Sequence, residues 1–164
     1  MAVKAYPGSF TWAEAKTKCS QDGTGAVKGR LATPHSLIEN DWFHDKAKEL
    51  DLGLFWLGVN DVNQEGLYRN GYGGNQRYFN WADNQPKAST ASSSDCVDTG
   101  GGWNNKWNDA DCNEKLDVLC THVKRKYLKC FQFRLIRKSA RKRVQGGPGI
   151  GNSVQTLDFS LLCP

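Results

Sequence analysis

The chain has 164 residues, among them six Trp, seven Phe, five Tyr, 17 Gly and six Cys, with a formal net charge of +5 and 24% charged residues. That composition is globular and long enough to bury a core without help from a metal, which excludes a disordered or collagen-like chain and argues against a helical bundle. No apolar run approaches the roughly 20 residues that a membrane-spanning helix needs. No cysteine stands in a CxxC or a Cys/His cluster at zinc-finger spacing, so disulfides in an oxidising compartment are their expected use.

The overall charge hides an asymmetry. Residues 1–123 carry 12 Lys/Arg against 16 Asp/Glu, a net −4, whereas residues 124–164 carry 10 Lys/Arg against the single acid Asp158, a net +9. An acidic folded domain at 1–123 followed by a basic, poorly ordered tail at 124–164 is the expected organisation.

Met1 leads almost directly into a strand. Thr11-Trp12-Ala13-Glu14 has the form of a capping box and predicts a helix from Trp12 to about Cys19. Ser36-Leu37-Ile38-Glu39 is a second box, and Leu37, Ile38, Trp42, Phe43, Ala47 and Leu50 follow at roughly helical spacing. They predict a second amphipathic helix that ends before Gly53. From Phe55 onward short apolar groups (Phe55-Trp56-Leu57, Tyr78-Phe79, Val97, Val118-Leu119) are separated by Gly, Asn, Asp and Pro. That grammar of strands and loops predicts an α+β fold with antiparallel pairing. The tail opens on basic residues interleaved with Leu128, Phe131 and Phe133, then breaks at Gly146-Gly147-Pro148-Gly149.

Nine pieces fall in one order: Trp12-Ala13-Glu14-Ala15 with Cys19; Leu31-Ala32-Thr33-Pro34 with Glu39-Asn40; Phe55-Trp56-Leu57-Gly58-Val59; Glu65-Gly66; Tyr78-Phe79-Asn80-Trp81; Gln85-Pro86; Asp95-Cys96-Val97; Trp107-Asn108-Asp109 with Cys112; and Leu119-Cys120. With them, residues 5–122 resemble a C-type lectin-like domain of the short form found in some invertebrate lectins. The resemblance implies two helices packed on small antiparallel sheets with a long irregular loop region. It also implies two disulfides, Cys19–Cys120 and Cys96–Cys112. By chain entropy, loops of about 100 and 15 residues make such bridges worth roughly 4.7 and 3 kcal/mol. Cys130 and Cys163 fall outside the match; they pair with each other, bridge to a second chain or stay reduced.

In the family, a principal calcium ion sits where the long loop meets the last strands. The flanks of a cis-proline, a Glu further along and a final Asn-Asp pair hold it, and two neighbouring sugar hydroxyls coordinate the ion. Carried over residue by residue, the proline is Pro86, its flanks are Gln85 and Lys87, the Glu position falls near Ser94, and the final pair is Asn108 and Asp109. Lys87 breaks the pattern. Calcium takes six to eight oxygens, and an ammonium has no lone pair to give. Asp109 and Lys87 leave the set neutral, so Asp95, on the pliable loop before Cys96, is expected to take the missing Glu's role. The implied ligands are Gln85, Asp95, Asn108 and Asp109 for the principal ion, and Asp61, Glu65 and Asp95 for an auxiliary one whose further acid is lost at Ala88. As an alternative, Asp61 and Glu65 merely cap turns.

Three arrangements stay open: a weak calcium site with Lys87 turned to solvent, a calcium-free site with Lys87 paired to Asp109, or no ligand site. For carbohydrate the expected contacts are Gln85, Lys87, Asn108 and Asp109. Trp103, raised on three glycines, is either an aromatic platform or a core residue. Trp56, Trp81 and Trp107 belong to core motifs.

No HExxH, Ser/His/Asp order or phosphate-cradling glycine loop is present, and His35 and His44 are expected on helix surfaces, so an enzyme is not expected. The expected function is a carbohydrate-binding lectin, weakly calcium-dependent and galactose-leaning from its Gln-Pro pair. Its partners would be glycans or glycoproteins outside the cell, any secretory leader having been replaced by Met1. The alternative is a calcium-independent module that binds protein or anionic polymers through Lys87 and the basic 124–143 segment.

Overall fold

The computed structural model describes residues 2–23, 28–87 and 94–122; the basic tail, with Cys130 and Cys163, lies outside them. In chain order the elements are β1 (Ala2–Phe10), α1 (Trp12–Gln21), β2 (Arg30–Leu31), α2 (Leu37–Glu49), β3 (Phe55–Asn60), β4 (Arg69–Asn70), β5 (Cys96–Thr99), β6 (Trp107–Ala110) and β7 (Leu116–His122).

Both helices start where their caps place them. At α1, Thr11 Oγ1 accepts from the Glu14 amide at 3.3 Å and the Thr11 amide donates to Glu14 Oε2 at 2.8 Å, closing a reciprocal box that satisfies two otherwise orphaned donors. Trp12, Ala15 and Cys19 then fall on one face and are buried. At α2, Ser36 Oγ caps the Glu39 amide at 3.2 Å, but Glu39 reaches back one residue further, to the His35 amide at 2.8 Å.

The buried stripe of α2 differs from the expected one: Asn40, Phe43, His44 and Ala47 face inward, while Leu37 and Ile38 are 56% and 82% exposed. The tertiary partners decide this. Asn40 Oδ1 accepts from the indole of buried Trp107 at 2.8 Å, and His44 Nε2 lies 3.1 Å from Thr99 Oγ1. His44 is therefore a core residue and not, as expected, a surface one.

The strands form one sheet of order β1-β7-β3-β5-β6, with β2 on β7 and β4 on β3. Between the named strands of the described residues the expected antiparallel pairing holds except that β3 and β7 run parallel, Phe55 beside Asp117 and Trp56 beside Val118. The sheet is therefore mixed. Side chains alternate along a strand, and β3 serves two cores in this way. Phe55, Leu57 and Val59 pack with Phe43, Trp107 and Leu119 on one side, while Trp56 packs with Trp12, Leu31 and Val118 on the other. Gly58 is required by close approach, since a Cβ there would meet Thr33 Oγ1 at 2.4 Å. The disulfides Cys19–Cys120 and Cys96–Cys112 are both formed, closing separations of 101 and 16 residues. The first ties α1 to β7; the second ties the β5–β6 hairpin to the turn that follows it.

Candidate functional site

The candidate site is built on the β5–β6 hairpin. Its register sets Asp98 opposite Asn108 and Val97 opposite Asp109. Consecutive side chains of β6 leave opposite faces of the strand, so the Asn-Asp pair looks two ways.

On one face, Asn108 Nδ2 donates to Asp98 Oδ2 at 2.9 Å, and Asn108 Oδ1 accepts from Gln85 Nε2 at 2.8 Å. Gln85 Oε1 in turn accepts from the Asp109 amide at 3.3 Å. The Gln85-Pro86 bond is cis. Gln85, Asn108 and Asp109 thus meet, with the Asn108 oxygen taken by the Gln85 side chain and the Gln85 oxygen by the Asp109 backbone amide. Burial lifts the Asp98 carboxyl to about 6; the Asn108 hydrogen bond, the Trp103 indole and the Lys87 charge pull against that rise.

On the other face, Asp109 is fully buried with both carboxylate oxygens lacking a hydrogen-bond partner, and buried Asp61 has one oxygen in the same condition. The other Asp61 oxygen accepts from the Gly66 amide at 2.8 Å. Burial, reinforced by the charges of Asp61, Glu65 and Asp95, lifts Asp109 to about 7 against the pull of the neighbouring Tyr68 hydroxyl, and burial likewise raises Asp61. The buried Tyr68 phenol, beside Asp109, is pushed up by burial and by that charge.

The other expected residues fall as follows. Lys87 is exposed, and no salt bridge joins it to Asp109 among the described residues. Asp95 and Ser94 are half-buried, and the Asp95 carbonyl accepts from the Asp61 amide at 3.0 Å. Glu65 is exposed. Trp103 ends a 3-10 turn, Gly101–Trp103, and its half-buried indole turns its N–H into the protein. Trp56 and Trp107 are fully buried and Trp81 packs against the core.

Asp98 and Tyr68 were not singled out in the sequence. Asp98 carried a signal: a carboxylate inside the short strand Cys96-Val97-Asp98-Thr99 is seldom buried without a paired donor.

The model of the C-type lectin domain matches residues 9–122. This chain belongs to the C-type lectin domain family. Tetranectin from Mus musculus is 33% identical over 122 residues, covering 71% of this chain and 56% of tetranectin; the chain therefore spans little more than half of that relative. The lectin CEL-I from Cucumaria echinata superposes with a TM-score of 0.67 at 22% identity, over 74% of this chain and 89% of its own. Herring type II antifreeze protein does so with 0.63 at 22%, over 74% and 91%. At that identity the likeness is one of fold, and the fold serves more than one ligand.

Among the described residues of this C-type lectin domain, no three His, Cys, Asp or Glu side chains gather closely enough to hold a metal ion by themselves. The orphaned oxygens, both of Asp109 and one of Asp61, nonetheless fit a hard cation, because the two buried carboxylates have no counter-charge beside them and only the Gly66 amide as a donor. The amide oxygens of Gln85 and Asn108 lie on the other face of β6 and are taken by hydrogen bonds, so they would join that set only by giving those bonds up. Two carboxylates with few further free oxygens beside them suit at most a weakly held cation.

Proposed function

We propose that this domain is a carbohydrate-binding lectin that acts outside the cell on glycans or glycoproteins. Its contact surface is centred on the half-buried Gln85, which is bonded to the buried Asn108 and Asp109, and calcium is held weakly. The observation that carries this reading is the fully buried carboxylate of Asp109, whose oxygens have no hydrogen-bond partner, in the residue whose backbone amide bonds Gln85, itself bonded to Asn108. Calcium, when bound by Gln85, Asn108, Asp109 and Asp95, supplies coordination for two sugar hydroxyls. Gln85 and Asn108 orient those hydroxyls, since each amide offers both a donor and an acceptor. Asp98 fixes the Asn108 rotamer through the 2.9 Å bond. The Gln85-Pro86 pair favours galactose in this reading.

One observation favours a second reading, a calcium-independent module. The Gln85 Nε2 to Asn108 Oδ1 hydrogen bond occupies an oxygen that calcium would take. Immobilised galactose and mannose columns separate the two. Retention that EDTA releases is expected; retention indifferent to EDTA favours the second reading, and passage through every neutral-sugar column sinks the carbohydrate assignment.

A further inference from the structure

Between α1, β2 and the β3–β4 edge lies a groove of about 580 Å³ whose lining includes Lys16, Lys28, Arg30 and Arg69 and no acidic residue. This is one third of the cations of residues 1–123, gathered on a domain whose net charge is −4. Among the described residues none of the four takes part in a salt bridge, and the neighbouring segment 24–27 contains no acid. Among the described residues, the usual fate of surface cations, pairing with nearby carboxylates, is therefore absent where these four meet.

Three of the four heads are also held in position. The Arg30 guanidinium lies 4.3 Å from the centre of the Tyr72 ring, and Lys16 Nζ lies 5.2 Å from that of Trp12. Arg69 Nη1 donates to Asn75 Oδ1 at 2.5 Å. A guanidinium stacked on an aromatic face keeps its outward N–H fork available for a planar or tetrahedral oxyanion. Tyr72 is 49% exposed, and the Asn60, Asn63 and Asn70 side chains add neutral amides to the lining. The volume lies within the range of small-ligand sites. A duplex nucleic acid, with one charge per roughly 1.7 Å of axis, calls for a longer basic track; a short segment with spaced anionic groups and intervening hydroxyls matches four cations, amides and one exposed ring.

We propose that this groove binds an acidic oligosaccharide segment bearing sulfate or carboxylate groups, independently of calcium and of the Gln85–Asn108 mouth. The proposal goes beyond the glycan reading above, since the two sites share no lining residue.

The test uses the full chain with a sulfated heparin-derived hexasaccharide as probe, in EDTA. Lys28→Gln/Arg69→Gln removes two groove charges at positions that fill no core, and Arg141→Gln/Lys142→Gln/Arg143→Gln removes three from the tail. The groove variant is expected to lose about tenfold in affinity, and its slope of log affinity against log salt to fall by about two. The tail variant should keep a groove contribution, seen as protection of Lys16 and Lys28 from acetylation when the hexasaccharide is bound, with Lys46 and Lys48 unprotected. Protection confined to lysines 124–142, or a groove variant that binds like the parent, would overturn the proposal. Duplex DNA that protects Lys16 and Lys28 at equal or higher affinity would overturn the ligand class. None of these outcomes depends on the galactose column, so either site can fail alone.

Discussion

The buried pair Asp61 and Asp109 and the groove around Lys16 and Arg30 each gather charge of one sign, but under opposite conditions of solvent. The acids are buried: Asp61 is 1% and Asp109 0% exposed. With no counter-charge beside it, the Asp109 carboxyl is lifted to about 7 by burial. The groove cations face water, which screens them and leaves them charged. Excess charge of the first kind is read by protons and metal ions; excess of the second kind is read by polyanions and salt. The same electrostatics thus yields two different sensitivities, and burial selects between them.

The disulfides divide along the same line, and breaking them should separate the two regions most strongly. Cys19–Cys120 anchors α1, which carries Lys16, to β7 across 101 residues; Cys96–Cys112 anchors the β5–β6 hairpin across 16. Chain entropy makes the first worth about 4.7 kcal/mol and the second about 3. Cys19→Ala/Cys120→Ala is expected to lower the midpoint of urea unfolding more than Cys96→Ala/Cys112→Ala does. Hydrogen exchange should localise early opening to α1 in the first variant and to β5–β6 in the second. Equal, uniform loss in both would mean that the two regions are a single cooperative unit.

Asp109→Asn acts on the buried side alone. Between its ordinary 3.8 and its folded value of about 7, Asp109 holds a proton in the folded chain that the unfolded chain has released. The stability it contributes is therefore full below about pH 4 and is lost as pH rises to 7. Asp98, lifted to about 6, has the same sign over a narrower window. Buried His44, whose pKa is depressed by desolvation, opposes both as pH falls. Subtracting the parent's curve from the variant's removes the Asp98 and His44 contributions. The variant is expected to melt with the parent near pH 5 and above it at pH 8, by on the order of 2 kcal/mol. Calcium should protect the parent more at pH 8 than at pH 5.5 and leave the variant unmoved. A difference curve flat from pH 5 to 8 would mean that Asp109 is not a proton-linked group.

Much of the frame was legible because its signals are local. Thr11 with Glu14 and Ser36 with Glu39 mark helix starts through backbone donors within one turn, and the run Phe55 to Val59 reads as a buried strand on its own. The errors lie where distant partners decide. The parallel β3–β7 pair joins segments about 60 residues apart, and no neighbour of Phe55 announces it. Leu37 and Ile38 carry the stronger apolar signal in α2, yet Asn40 and His44 turn inward because Trp107 and Thr99 wait for them. At the candidate site the motifs named Gln85, Asn108 and Asp109, which the fold links by hydrogen bonds. They did not tell where those bonds lead: Asp98 enters through hairpin register and Tyr68 through tertiary packing. The groove was illegible for the same reason, its four cations being spread from position 16 to position 69.

The smallest effect is the one that sharpens the mouth itself. Lys87 is exposed and its charge reaches Asp98, so Lys87→Asp removes a repulsion felt by calcium and adds an oxygen ligand at the proline flank. At surface dielectric and physiological salt, two units of charge change near a divalent ion are worth roughly 1.4 kcal/mol, or about tenfold in calcium affinity by isothermal titration. Lys87→Gln removes the repulsion without adding a carboxylate, and is expected to gain about threefold. If both variants gain equally, the added carboxylate contributes nothing beyond removal of the ammonium, and Lys87 is not at a ligand position. If neither gains, calcium does not bind between Gln85 and Asn108, and the hydrogen bond that joins those two amides is the working state of the site.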